Sequence, residues 1–314
     1  MNLLASLRYL AALEEHKHFG RAAQACHITQ PALSNALRAL EREFGTVIVR
    51  RGRNFEGFTP EGLRVLASAQ RMLHERELLQ QDLDSGLGKP QGSLTIGAVP
   101  TAMPIVARFC ALLQARYPGI APTVRSMSSN ELETGLESLT LDMGLGYTDR
   151  LRANGPSLRQ IPQYTEHYFF VRRAEKPHPE RLQIGPAMTW TEASRHPLCM
   201  LTREMHNRTI VEAAFAEAGV QSRPGIETNS ILTLALSVVE GNVCTVMPGG
   251  LVGAVRGYRE LEALPLVGPD VRTAIGFMAQ SGNRPSRTLQ AALALAEDAE
   301  WLRHAAAHSG LLDA

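Results

Sequence analysis

Up to GLGKPQG, Gly86 to Gly92, apolar residues recur mostly at helical spacing, and beyond it short β-branched runs alternate with helical ones. A glycine- and proline-containing stretch between two such patterns reads as a linker. A single core seldom serves 314 residues, so the chain is expected to divide into two or three domains.

The composition, 44% hydrophobic and 20% charged with no run of about 18 apolar residues, suits a soluble globular protein and argues against membrane insertion. The N-terminus has no basic start followed by an apolar run and a small-residue cleavage site, so a cytoplasmic location is expected. Cys26, Cys110, Cys199 and Cys244 lie far apart without a CxxC, which gives no zinc or redox pair and makes them buried hydrophobes. His304 and His308 have helical i, i+4 spacing but no third ligand nearby and are read as solvated, so neither a metal nor a cofactor is expected.

Before the linker, Leu3, Leu7, Leu10 and Ala11 form one helical stripe, Arg21 to Cys26 is alanine-rich, and Leu33, Ala36, Leu37, Leu40 and Phe44 form another stripe. Gly20 marks a break before the second helix. Thr29 caps the third helix, with Pro31 in its first turn, where a missing amide proton costs nothing. VIVRRGRNFEGFT then reads as a two-stranded wing, and three helices with a wing make a winged helix-turn-helix. Residues 1–58 hold eight Lys/Arg against five Glu, although the whole chain is only +1, and Arg50, Arg51 and Arg53 cluster where a turn would present them to phosphate. Thr59-Pro60 opens a long helix whose seam, Leu66, Ala69, Leu73, Arg76, Leu79 and Leu83, calls for pairing across a twofold axis.

After the linker LTIGAV, PTVRSMS, MGLGY, EHYFFVRR, HPLCML and NVCTVMP read as strands between helices, which predicts a mostly parallel, doubly wound sheet. Extended segments near Pro162 and from Leu264 to Arg272 split it into two units that the chain crosses twice. In such sheets ligands bind at the carboxyl ends of strands.

FGRAAQACHITQPALSNALRALEREFG followed by RRGRNFEGFTPEGL resembles the N-terminal signature of the LysR-type transcriptional regulators, and GSLTIGAV, ARYPGI, LDMGLG and VVEGNVCTVMP resemble the effector-domain landmarks of that family in order. The likeness covers nearly the whole chain. It implies an α/β fold with an all-α N-terminal part: a winged helix-turn-helix DNA-binding domain (residues 1–59), a linker and dimerisation helix (60–88) and a periplasmic-binding-protein-like effector domain (92–314). The last has one subdomain of residues 92–163 and 268–303 and another of residues 164–267. Three departures stand out: Asn35 where many members are basic, Ile48-Val49 in place of Leu-Phe, and Cys26 in place of a leucine.

With Leu33, Leu37 and Leu40 inward, Gln30, Ser34, Asn35 and Arg38 face outward as candidate base readers, Thr29 and Pro31 at the helix start belong to the same DNA-binding set, and Arg50, Arg51 and Arg53 are backbone contacts. The family's effector site maps onto the strand-to-helix turns: Thr101, Ser128, Ser129 and Tyr147 from the first subdomain, Thr202, Arg203, Thr228 and Asn229 from the second. A small polar or anionic effector, a carboxylate by preference, is expected. The implied protein is not an enzyme but a dimeric or tetrameric regulator on double-stranded promoter DNA, contacting RNA polymerase. Two alternatives stand beside it. One is a regulator of the same family sensing oxidants through a thiol or through Met205, and the other a solute-binding receptor without DNA function. The absent secretory signal and the basic N-terminal module count against the receptor, and the absence of HExxH, GxSxG, GxGxxG and P-loop patterns counts against an enzyme.

Overall fold

A computed structural model describes residues 2–52, 55–84, 89–150, 158–281 and 285–309. These fall into two compact units, Met1–Gly86 and Leu87–Glu137 with Leu141–Ala314.

The first unit contains α1 (Leu3–His16), α2 (Phe19–Ala25), α3 (Gln30–Phe44), an antiparallel pair β1 (Val49–Arg51) and β2 (Phe55–Phe58), and α4 (Pro60–Asp84). The predicted leucine stripes are its core. Leu7, Leu10, Leu13, Ala22, Ala23, Leu33, Leu37 and Leu40 meet Ile48, Val49 and Phe58 from the wing and Leu66 and Ala69 from α4. Gly20 is not a break. His18 Nδ1 accepts the amide protons of Gly20 and Arg21 at 3.0 and 3.3 Å, so an imidazole caps α2 and the glycine lies within the first turn.

Two contacts lock the wing to the helices on either side. The Glu41 carboxylate accepts the amides of Ile48 and Val49 at 3.0 and 3.1 Å. The Thr59 hydroxyl donates to the Val47 carbonyl at 2.6 Å and accepts the Gly62 amide at 2.9 Å. A Cβ on Gly62 would lie 2.1 Å from the Ile48 carbonyl oxygen, so Thr-Pro-x-Gly serves here as cap, first-turn proline and a gap for the crossing backbone. On α4, Leu66 and Ala69 are buried, while Leu79 and Leu83 are 61% and 67% exposed.

The second unit runs β3 (Gly92–Ala98), a 3-10 turn (Pro100–Ala102), α5 (Met103–Arg116), β4 (Ile120–Ser126), α6 (Ser129–Glu137), β5 (Met143–Tyr147) and β6 (Leu158–Arg173). Next come β7 (Gln183–Ile184), β8 (Met188–Thr189), α7 (Trp190–Ala193), β9 (Leu198–Leu201), α8 (His206–Glu217), β10 (Pro224–Thr228), α9 (Ile231–Glu240), β11 (Thr245–Pro248) and α10 (Gly249–Ala254). It ends in β12 (Leu261–Val267), β13 (Arg272–Gln280), α11 (Arg287–Ala296) and α12 (Ala299–Ala307).

The sheet is mixed rather than mostly parallel. β3 is parallel to β4 and β5, but β13 is antiparallel to β5, and β6 is antiparallel to β11, β12 and β13. The chain crosses the unit outward along β6 and returns through β12 and β13, so these strands meet head to tail. The first half of β6 shares a core with Leu94, Ile96, Phe109, Phe277 and Trp301. In its second half Phe169 and Val171 face Leu234, Val238 and Met247, while Tyr168 and Phe170 face Trp190, Val211 and Phe215, the alternation of a strand covered on both sides. Gln163 ties the C-terminal helices to it, accepting from Trp301 Nε1 at 2.6 Å and donating to the Ala296 carbonyl at 2.9 Å.

Gly62→Ala is expected to cost at least about 1–3 kcal/mol, because a carbonyl cannot give way as a side chain would. Gly225, with nothing within 4 Å of an added Cβ, is the control: Gly225→Ala is expected to stay within about 0.5 kcal/mol of the parent in urea denaturation.

Candidate functional site

The first candidate surface is α3. Thr29 Oγ1 accepts the Ala32 amide at 3.4 Å and Pro31 sits in the first turn, so the helix starts where the cap and proline predict. Leu33, Leu37 and Leu40 are buried, Gln30, Pro31, Asn35 and Arg38 are exposed, and Ser34 is half-buried. Gln30, Ser34 and Arg38 are spaced by four and share one face, with Asn35 beside them. Their amide, hydroxyl and guanidinium groups are the kinds that hydrogen-bond base edges in a major groove. Arg50 is exposed on β1. Arg51 lies on β1 and its side chain is outside the description, and Arg53 lies outside the described residues.

In the second unit, Thr101, Ser128, Ser129 and Tyr147 come together at one cavity. It is nearly closed, at about 10 Å³ on the measure by which one water needs about 10–15 Å³. Thr101 Oγ1 lies 3.0 Å from Tyr147 Oη, both buried. The two serines differ in what they have left to offer. Ser128 donates its amide and hydroxyl to the Glu131 carboxylate, each at 2.8 Å, and accepts the Glu131 amide at 3.3 Å, so its hydroxyl is committed to capping α6. The buried Ser129 hydroxyl has no partner.

The residues expected from the other side are not at this cavity. Thr202 donates to Glu204 at 2.7 Å, Arg203 and Asn229 are exposed, and Thr228 Oγ1 accepts the Ser230 amide at 3.1 Å. They are turn and cap groups held by the parallel pairing of β9 and β10, in which the Thr202 amide donates to the Thr228 carbonyl at 3.0 Å. The turn after β9 delays α8 to His206, so Leu201, Met205, His206 and Asn207 form this wall instead. The sequence offered little warning, since Met205 precedes α8 without a side-chain cap.

Asn207 is buried and its Nδ2 has no partner. The His206 ring meets the Tyr147 ring edge-on, centroids 4.9 Å apart, and burial together with Arg150 lowers the imidazole below its ordinary value, leaving it neutral at pH 7. Arg208, a residue the sequence did not single out, is 2% exposed and fixes the start of α8 by donating to the Leu201 carbonyl, Glu227 and Glu212 at 2.8, 2.9 and 2.8 Å. No thiol lines the cavity among the described residues. Cys199 and Cys244 are both buried, in two different apolar clusters, and burial raises both thiols, which opposes thiolate formation.

Arg208→Met keeps the bulk but strands the buried Leu201 carbonyl. It is expected to destabilise the chain by about 1–3 kcal/mol in urea denaturation, with Arg208→Lys closer to the parent.

Residues 4–63 match the family model described as the bacterial regulatory helix-turn-helix protein, lysR family, and residues 87–300 match the LysR substrate binding domain. The DNA-binding transcriptional dual regulator OxyR of Escherichia coli (strain K12) is 26% identical over 281 residues, covering 89% of this chain and 90% of that protein. The SDS degradation transcriptional activation protein of Pseudomonas sp. (strain ATCC 19151) is 29% identical over 325 residues, covering 95% and 97%. Among solved structures, full-length OxyR from Pseudomonas aeruginosa superposes with a TM-score of 0.67 at 22% identity over 94% of this chain and 97% of that one, a likeness of fold. With the outward polar face of α3 in the first match and the cavity in the second, the chain belongs to the LysR family and is a DNA-binding transcriptional regulator with an effector-binding domain.

Proposed function

We propose that this regulator reads promoter DNA through α3 and is switched by a small anion taken up at the cavity of the second unit, which has room for about one water as it stands and widens to admit the anion. The observation carrying the effector half is that α6 and α8 begin at one cavity, where Ser129 Oγ and Asn207 Nδ2 are buried without partners. Helix N-termini favour negative charge, and two unpaired side-chain groups supply donors for a carboxylate. No Lys or Arg lines the cavity among the described residues, which suits a monoanion better than a more highly charged ligand.

On the DNA side, Gln30, Ser34, Asn35 and Arg38 act as base readers, with Arg50, Arg51 and Arg53 on phosphates. The far half of α4, where Leu79 and Leu83 are exposed on a mostly polar helix, pairs with a second copy, giving a dimer or a tetramer. Effector binding favours one arrangement of the effector domain and so shifts the DNA-bound assembly and its contact with RNA polymerase. The protein works in the cytoplasm without a catalytic step. No helix among the described residues is long and apolar enough to cross a membrane.

A second reading, oxidant sensing through Met205, draws on that thioether at the cavity wall and on E. coli relatives named hydrogen peroxide-inducible genes activators. A peroxide would oxidise the thioether to a sulfoxide, leaving water or an alcohol. Peroxide-dependent DNA binding that Met205→Leu abolishes would decide for it.

A gel shift on the promoter region of its own gene, at moderate salt with and without small carboxylates, tests the main reading. Sequence-selective retention altered by a carboxylate is expected, and retention no better than on unrelated DNA would sink it. Asn35→Ala is expected to lose about 1–3 kcal/mol on the cognate site and relax its selectivity. Arg50→Ala is expected to weaken cognate and unrelated DNA alike and to reduce the slope of log K against log salt by about 0.9.

A further inference from the structure

Behind the cavity a chain of hydroxyls ends on a buried carboxyl group. Glu166, on β6, has no exposed surface. Thr273 Oγ1 and Tyr168 Oη donate to its Oε2 at 3.4 and 3.5 Å and lie 3.2 Å from each other. Its Oε1 has no partner. Toward the cavity, the hydroxyls of Tyr147 and Thr101, 3.0 Å from each other, lie near this carboxyl group without completing a hydrogen bond to it.

The facing groups are Thr101 from the 3-10 turn, Tyr147 from β5, Tyr164 and Tyr168 from β6 itself, and Thr273 from β13. From α8, His206 packs on Tyr147 and Asn207 lies near its hydroxyl without a hydrogen bond to it, and the charged neighbours of His206 are Arg150, Asp149 and Glu133. The groups that act on Glu166 are hydroxyls, with no cation among them. Burial pushes its carboxyl up to about 8, so at pH 7 it carries a proton.

The protonation state sets the direction of the chain. A carboxylate only accepts, and it draws the surrounding hydroxyl protons inward. A carboxylic acid has a proton of its own to give, which frees Tyr147 and Thr101 to turn theirs toward the cavity. A negative charge at Glu166 would also repel an anion across a site of low dielectric.

We propose that Glu166 determines the specificity of the cavity: as the acid it turns the Thr101 and Tyr147 hydroxyls outward as donors and admits a small monoanion beside Ser129 and Asn207, and as the carboxylate it excludes that anion. This rests on the cavity being the effector site. Anion binding above pH 8 then carries a proton from solvent to Glu166. Changes in His206 act in a separate window, because its lowered pKa confines its titration to below the ordinary imidazole range.

The test uses the full chain titrated with sodium acetate, replacing chloride at constant ionic strength, from pH 6.5 to 9.5. The parent's apparent Kd for acetate is expected to rise about tenfold per pH unit above about 8, while Glu166→Gln changes by less than about twofold across that range. Ser129→Ala is expected to weaken acetate binding at every pH, which places the probe in the cavity. Calorimetry of the parent in buffers of different ionisation enthalpy provides a readout that needs no variant: close to one proton taken up per acetate at pH 9, none at pH 6.5.

Acetate binding without proton uptake at pH 9, or a parallel pH dependence in Glu166→Gln, overturns the proposal while leaving the cavity as an effector site. Absence of any acetate response, or a response indifferent to Ser129→Ala, overturns the proposal and the anion assignment together. DNA recognition stands or falls separately, by gel shift.

Discussion

The second unit depends on β6. Sixteen consecutive residues pair with β13 over their first part and with β11 and β12 over their last. Without that strand, the core around Phe109 and Phe277 and the cores around Phe169 and Phe170 would share no main-chain ladder. Its alternating pattern serves three apolar clusters, and the one carboxylic acid on its buried stretch, Glu166, lies along the strand between Tyr164 of one cluster and Tyr168 of another. A buried acid at such a position, whose hydrogen-bond donors are hydroxyls and one of whose oxygens has no partner, is costly to the fold, and this makes a functional role the more economical account.

Much of the fold was legible because its signals are local. The 3.6-residue stripes of α1 and α3, the Thr29 cap and the glycine-punctuated wing each depend on residues close in sequence. The reading failed where a contact was less common or distant. Gly20 looked like a helix break because histidine is an unusual cap, and the sheet looked mostly parallel because strand direction follows from the chain's return through β12 and β13, which periodicity does not encode. Arg208 drew no notice in the sequence because its importance lies in three acceptors, one a main-chain carbonyl, brought together only by folding.

The candidate site divided in the same way. Thr101, Ser128, Ser129 and Tyr147 follow strand ends directly and were placed correctly as neighbours, although Ser128 turned out to be committed to its helix. The opposite wall is made by Leu201 and by Met205, His206 and Asn207 instead of Thr202, Arg203, Thr228 and Asn229, because the length of the turn after β9 decides which side chains reach the cavity. For α3 the exposed face was readable from its leucines alone, and Asn35 stands on it as an exposed neutral amide.

Gly62 carries a consequence beyond stability. Because the wing backbone passes through the space its missing side chain leaves, and Thr59 holds Val47 from the same point, β1 and the first turn of α4 move as one piece. A rotation of α4 about its own axis therefore swings Arg50 along an arc. The long helix is in this sense a lever whose short arm is the wing.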